Sequence, residues 1–318
     1  MAVAAQAIKP SIYSHPEFVA FTSGMTALYA HWQQRSASTL KALQAGCHPK
    51  EVIKTLAEDL LGHYAGKQLI DPYAVYQHLM DYWAQTMQDD CYLVAADGWQ
   101  AITYRVIEIK KGKDGKNGSA GKTVDKGWAC DLVPKRLIVA RYFAKQQSAI
   151  DTLQTQLDAT SAQMAELEEE HSGEDGAFAE LDKVNKAHVT ARLKDIKGDK
   201  EAKDEAKALN AWLELSNEEA DLKKSLKDQE AALDALALAQ YPKLKPADVK
   251  VLVVDDKWLH AVGSAIHSEM DRISQALTQR VKQLADRYGT PLPALAVEVD
   301  ALSARVDAQL KKMGLSWA

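Results

Sequence analysis

With 318 residues the chain has room for two domains, and 47% hydrophobic against 26% charged residues is the balance of an ordinary folded protein. A net charge of -5 gives no global attraction to nucleic acid, so any such contact has to be local. Cys47, Cys91 and Cys130, odd in number and far apart, fit a reducing cytosol and offer no metal-ligand spacing; Met1–Pro10 lacks the basic start and apolar run of a signal peptide, and no stretch reaches membrane-spanning length, so a cytoplasmic protein is expected.

In chain order, His15–Pro16 precedes a helix whose apolar positions Phe18, Phe21, Met25, Leu28 and Trp32 recur every three or four residues. Gly46 and Pro49 mark a turn, and Val52, Leu56 and Leu60 line a second helix that ends near Gly62. A third begins at Asp71–Pro72, with Asp as N-cap and Pro at the first helical position, and carries Tyr76, Leu79, Met80 and Trp83. The period then changes. Cys91–Ala95, Ile102–Ile109 and Trp128–Val133 read as strands. Between the second and third, Lys110–Lys126 holds six lysines (Lys110, Lys111, Lys113, Lys116, Lys122, Lys126) against two aspartates, a local excess of positive charge on a strand connection.

Two seams at heptad spacing follow. Val139, Phe143, Ile150, Leu153, Leu157, Met164 and Leu167 form the first, interrupted at Gln146 and Thr160; Trp212, Leu215, Leu222, Leu226, Leu233 and Leu236 form the second, with Glu219 and Gln229 off type. A seam sustained for about four heptads needs a partner helix, and two in one chain most simply pack on each other. The expectation is a long antiparallel arm with residues 173–207 at its tip. Beyond Pro246 come two more helices, one with Trp258, Val262, Ile266, Ile273, Leu277, Leu284 and Tyr288, the other with Leu295, Val299, Leu302, Val306, Leu310 and Met313. Gly289–Thr290–Pro291 between them reads as the turn of an antiparallel hairpin. The predicted class is therefore mainly α: a helical domain over 11–95, a small antiparallel β element with a basic loop over 96–135, the coiled-coil arm over 136–240, and a C-terminal helical hairpin over 241–318.

Three near-motifs test poorly as chemistry. Gly115, Gly121, Lys122 and Thr123 suggest a phosphate-binding loop, but five residues separate the glycines where four are needed, and Val124–Trp128 leads into a strand rather than a helix. His267–Ser268–Glu269 is half of a zinc deaminase pattern without the Pro-Cys-x-x-Cys that would complete it. Cys47–His48 lacks a recognisable third member, and His31, His78 and His260 have no ligand partner one turn away. Paired carboxylates do not stand out from the acidic faces of periodic helices.

The third helix also carries a resemblance. The segment Ile70–Val94, which opens Ile-Asp-Pro-Tyr-Ala-Val-Tyr, is similar to a stretch in the C-terminal part of modification subunits of type I restriction-modification systems, as are Gly127–Val139, Leu215–Lys223, Asp256–Leu259 and Ala285–Pro293. The resemblance covers nearly the whole chain from about His15. The family resembles N6-adenine DNA methyltransferases that use S-adenosylmethionine and an Asn-Pro-Pro motif followed by Tyr or Phe. Here none of the four asparagines, Asn117, Asn185, Asn210 and Asn217, precedes a proline, and Asp71–Pro72–Tyr73 lacks the second proline. Nor is there an alternating strand and helix run with a glycine turn after its first strand. The resemblance thus implies the portion that follows the catalytic domain, inactive alone, with no catalytic, cofactor or metal residue to carry over.

In that family the C-terminal helices are implied to pack on the helices of the specificity subunit, holding the catalytic domain against DNA. Ile266, Ile273, Leu277, Leu284, Val299, Leu302 and Val306 are the candidate partner-binding positions, and the six lysines are candidate phosphate contacts that need only charge and reach. A stand-alone coiled-coil scaffold or regulator of a restriction-modification complex is the alternative, and a phosphate-hydrolysing enzyme built on Gly121–Thr123 is a third. If the basic loop touches phosphate, replacing Lys111, Lys113 and Lys116 with Ala weakens DNA binding by the assembled complex and flattens its salt dependence, by roughly 0.9 in log–log slope for each phosphate no longer neutralised. Filter binding across a salt series checks this, and an unchanged slope removes the assignment.

Overall fold

Residues 8–110, 122–173, 176–181, 183–199, 202–288 and 292–314 are described by this computed structural model. The first elements are α1 (Ile8–Tyr13), α2 (Pro16–Lys41), α3 (Pro49–Tyr64), α4 (Pro72–Tyr82), a π-helical turn (Trp83–Met87) and α5 (Gln88–Asp97). Pro opens α2, α3 and α4, where its missing N–H leaves nothing unpaired, and at α4 the Asp71 carboxylate accepts the Tyr73 N–H at 2.9 Å. The strand expected at Cys91–Ala95 is instead part of α5. Val75, Leu79, Trp83, Met87, Cys91 and Val94 are all buried, so one stripe runs unbroken from α4 through the π turn. A short apolar run without flanking turn residues is ambiguous in sequence, and here the helix simply continues.

Next come β1 (Tyr104–Lys110) and β2 (Lys122–Ala129), an antiparallel pair whose register runs from Tyr104 opposite Ala129 to Lys110 opposite Lys122. The strand expected over Trp128–Val133 lies earlier in the chain. Gly127 adopts φ 99°, and its N–H is held at 2.8 Å by the Asp125 carboxylate, so β2 bulges between Asp125 and Trp128 before the ladder ends at Ala129. The register also shifts between Arg105 and Ile107. Cys130, Leu132 and Val133 turn into the core.

Then follow α6 (Lys135–Tyr142), α7 (Ala144–Glu170), α8 (Lys186–Asp195), α9 (Lys203–Gln240) and α10 (Pro246–Lys250). The antiparallel arm is α7 packed along α9. The first seam is broken at Phe143, whose φ of -130° and ψ of 27° separate α6 from α7. On α9 this shifts the inward step. Leu233, Ala237 and Tyr241 are buried while Leu236 is exposed, because α9 there meets α6 rather than a continuation of α7. The off-type positions cooperate: Ser161 donates to Glu219 at 2.9 Å beside the buried Thr160. At the tip, Ala177, Phe178, Val189, Ala208, Leu209 and Trp212 make a core of their own, and Trp212 Nε1 donates to Glu168 at 2.6 Å.

The nine-residue π-helical segment Val251–Leu259 leads into α11 (His260–Tyr288), and α12 (Leu292–Lys312) follows. The chain forms two compact units, Met1–Gly98 with Val254–Ala318, and Trp99–Val253. The helical domain and the terminal helices, separate in the sequence reading, therefore share one unit. The Asp90 carboxylate on α5, almost wholly buried, accepts Lys257 Nζ at 2.8 Å and Trp258 Nε1 at 2.7 Å, and Lys257 and Trp258 are themselves buried. Burial pushes the Asp90 carboxyl above its usual range, against the opposing pull of Lys257. Nearby, the Tyr29 hydroxyl donates to the Leu259 carbonyl, and Gly263 lies so close that a Cβ there would sit 2.7 Å from the Tyr29 ring.

Removing one partner leaves the other charge buried and unpaired. Asp90→Ala is expected to destabilise the chain by about 3–5 kcal/mol. Lys41→Ala, which breaks the half-exposed 2.5 Å pair with Asp255, should cost no more than about 1 kcal/mol. Chemical denaturation of both variants checks the contrast.

Candidate functional site

The terminal helices differ sharply along their length. The first half of α11 is core: Val262, Gly263, Ile266, Glu269, Met270 and Ser274 are buried, with α11 packed on α1 and α4. From Leu277 onward the apolar positions open to solvent, with Leu277 38% and Leu284 39% exposed, and Tyr288 more so. Along α12 no residue is buried; Val299 is 60% and Val306 56% exposed, and Leu295 and Leu302 are exposed as well. The sequence predicts a two-helix seam between α11 and α12. The turn expected at Gly289–Thr290–Pro291 lies outside the described residues, and the apolar stripe of α12 is uncovered.

Of the seven candidate partner positions, Ile266 is a core residue held against the neighbouring helices of its own unit, and so is corrected from an interface position. Ile273 is half-buried; Leu277, Leu284, Val299, Leu302 and Val306 are exposed. Leu277 and Val281 join Ile12, Phe18, Phe21 and Leu69 in lining an apolar groove of about 370 Å³. Leu69 stands out on its rim. It holds φ at 65°, a left-handed conformation that costs a non-glycine residue about 1–2 kcal/mol, and it points an apolar side chain into solvent. Nothing in its sequence context signals this.

Just before α11 becomes exposed, the buried Glu269 is paired mainly within its own helix. Its carboxylate accepts Arg272 Nε at 2.8 Å and a second guanidinium nitrogen at 2.6 Å, and His78 of α4 lies 3.8 Å away. The Arg272 hydrogen bonds hold the Glu269 carboxyl below its ordinary value.

On the β-hairpin, Lys111, Lys113 and Lys116 lie outside the described residues, as do the side chains of Lys110 and Lys122. The backbone register pairs Lys110 with Lys122 at the end of the ladder. Lys126 is exposed but engaged, 3.1 Å from Glu108, and Arg105 pairs with Asp125 at 2.5 Å. Of the six lysines, Lys126 is thus already neutralised.

The remaining candidates are dispersed. Lys122 and Thr123 lie in β2, in an antiparallel strand rather than at the opening of a helix. His267 bonds the Gly263 carbonyl at 3.1 Å while Glu269 faces Arg272, so the two ends of His267–Ser268–Glu269 serve separate partners. Cys47 and His48 line a groove of about 500 Å³ with Arg35, Glu51 and Asp59, but burial pushes the Cys47 thiol up, away from the thiolate form a nucleophile needs. His31 stacks on His63 with centroids 5.6 Å apart. Among the described residues no group of three or more His, Cys, Asp or Glu is placed to hold a metal, and no helix is long and apolar enough to cross a membrane. The one sheet among them, antiparallel and two-stranded, does not fit the parallel strand, glycine turn and helix by which S-adenosylmethionine would be cradled.

Comparison with protein-family models, with curated proteins and with solved structures finds no match to this chain.

The Glu269 site generates a pH dependence. Because the folded carboxyl titrates below its ordinary value of 4.5, its stabilisation is present above that value and is lost as pH falls through the folded value. Glu269→Gln should therefore lower the melting temperature at neutral pH, and the difference from the parent chain should vanish in acid. A gap that persists unchanged at low pH would show that packing, not charge, is responsible.

Proposed function

We propose that this chain is the assembly and DNA-clamping portion of a type I restriction-modification DNA adenine methyltransferase subunit, cytoplasmic and inactive alone. The observation that carries the reading is the uncovered apolar stripe of the terminal helices: Leu277 and Leu284 on α11, and Leu295, Val299, Leu302 and Val306 on α12. Contiguous exposed apolar surface is rare on a protein with no partner, and at helical spacing it suits the addition of helices from other chains to form a bundle. The specificity subunit, whose helices the sequence resemblance implicates, is the partner of matching form. In this reading S-adenosylmethionine binding and methyl transfer belong to other polypeptide.

The arm of α7 and α9, with its own core at the tip, supports a spacer role, because a helix pair that buries its seam internally holds its length without further support.

Leu277→Asp tests the reading. Placed on the rim of the groove at 38% exposure, the substitution should abolish co-purification with a co-expressed specificity subunit while leaving helix content unchanged by circular dichroism. Undiminished recovery of the complex would sink the assignment.

A further inference from the structure

The apolar stripe of α12 follows a heptad, with the polar Gln309 at one core position and Met313 just past the end of the helix. Leu292, Val299, Val306 and Met313 occupy one core position, and Leu295, Leu302 and Gln309 the other. Such a seam specifies a helix of the same kind as its mate. The positions flanking it say which. On one flank lie Glu298 and Arg305, one heptad apart; on the other lie the small residues Ala296 and Ser303.

We infer that α12 pairs with α12 of a second copy of this chain as an antiparallel two-stranded coiled coil about a two-fold axis. In that arrangement Leu295 packs against the partner's Val306 and Val299 against the partner's Leu302, and the axis repeats each layer. Glu298 then faces the partner's Arg305, and Arg305 faces the partner's Glu298, so one heptad generates two identical ion pairs. Ala296 meets the partner's Ser303 on the other flank, with no charge opposed. A parallel pair would instead set Glu298 and Arg305 across from uncharged Ser303 and Leu310 and satisfy neither. The surface is thus complementary to itself, as an isologous interface must be. No intramolecular packing has to be broken, because α12 buries none of its residues. The pairing leaves Leu277, Val281 and Leu284 of α11 available to a foreign helix. The inference rests on the reading of the terminal helices as an assembly surface, and it deepens that reading by naming what covers α12.

Sedimentation equilibrium of the full chain tests it. The parent chain should be a dimer, and Leu302→Asp, at the centre of the seam, should make it a monomer with unchanged helix content. Glu298→Arg and Arg305→Glu should each weaken association roughly tenfold by setting like charges face to face, and the double variant Glu298→Arg/Arg305→Glu should restore it. A parent chain that is monomeric, a dimer indifferent to Leu302→Asp, or a double variant as weak as the single ones each overturns the inference. A monomer that still captures the specificity subunit overturns self-pairing alone; one that captures nothing overturns the assembly reading with it.

Discussion

A carboxylate and an ammonium withdrawn together from water hold one of the two units closed. Asp90 and Lys257 are almost wholly buried, and the indole N–H of Trp258 completes the coordination of the carboxylate. Such a pair adds little net stability over an apolar pair of the same size, but it tolerates few alternatives, since any slippage leaves a bare charge in a dry interior. It joins α5 to a nine-residue π-helical segment, longer than the single π turn that proteins ordinarily use. Tyr29, bonded to the Leu259 carbonyl and set against Gly263, reinforces the same junction from α2. With that junction fixed, the buried half of α11 meets α4, and its exposed half projects beyond the core.

The transition along α11 is abrupt in chemical terms. Up to Ser274 the inward positions are covered, and Glu269 with Arg272 and His78 makes the last polar attachment to α4. A few residues later the same periodic pattern continues at the open groove beside Leu277 and then, with its apolar positions exposed, through Leu284 and on into α12. The amphipathic pattern thus outlasts the domain that could use it. The proposed assembly role rests on this apolar stripe, kept at helical spacing past the edge of its own core.

Much of this architecture can be read from the residues. The proline starts of the first helices, the N-cap at Asp71 and the paired seams of α7 and α9 rest on local chemistry or on simple periodicity, and they stand where the sequence places them. What could not be read depends on contacts distant in sequence. Cys91–Ala95 resembles a strand until the stripe through Val75, Leu79 and Met87 is seen to include it. Phe143 fits the first seam perfectly, yet the helix breaks there, and only the pairing with α9 explains why Ala237 rather than Leu236 turns inward. Lys257 directly follows Asp255 and Asp256, so the sequence offers it nearby carboxylates, whereas Asp90 lies far up the chain and is flanked by another aspartate. The exposed stripe of α12 illustrates the converse, since its periodicity is plain in the sequence while its lack of cover within the chain is not.

The bond from Lys257 to Asp90 spans 167 positions of the chain. Trp99–Val253, by contrast, contains its own hairpin, arm and tip core within one continuous stretch. During synthesis the inserted unit can therefore finish folding while the N-terminal helices still wait for the segment that completes their interior, leaving Asp90 and the stripe from Val75 to Val94 without their final cover. That interval is when the nascent polypeptide is most open to wrong associations, and an insert that folds early and independently keeps the two halves of the outer unit from being separated by a long, floppy loop.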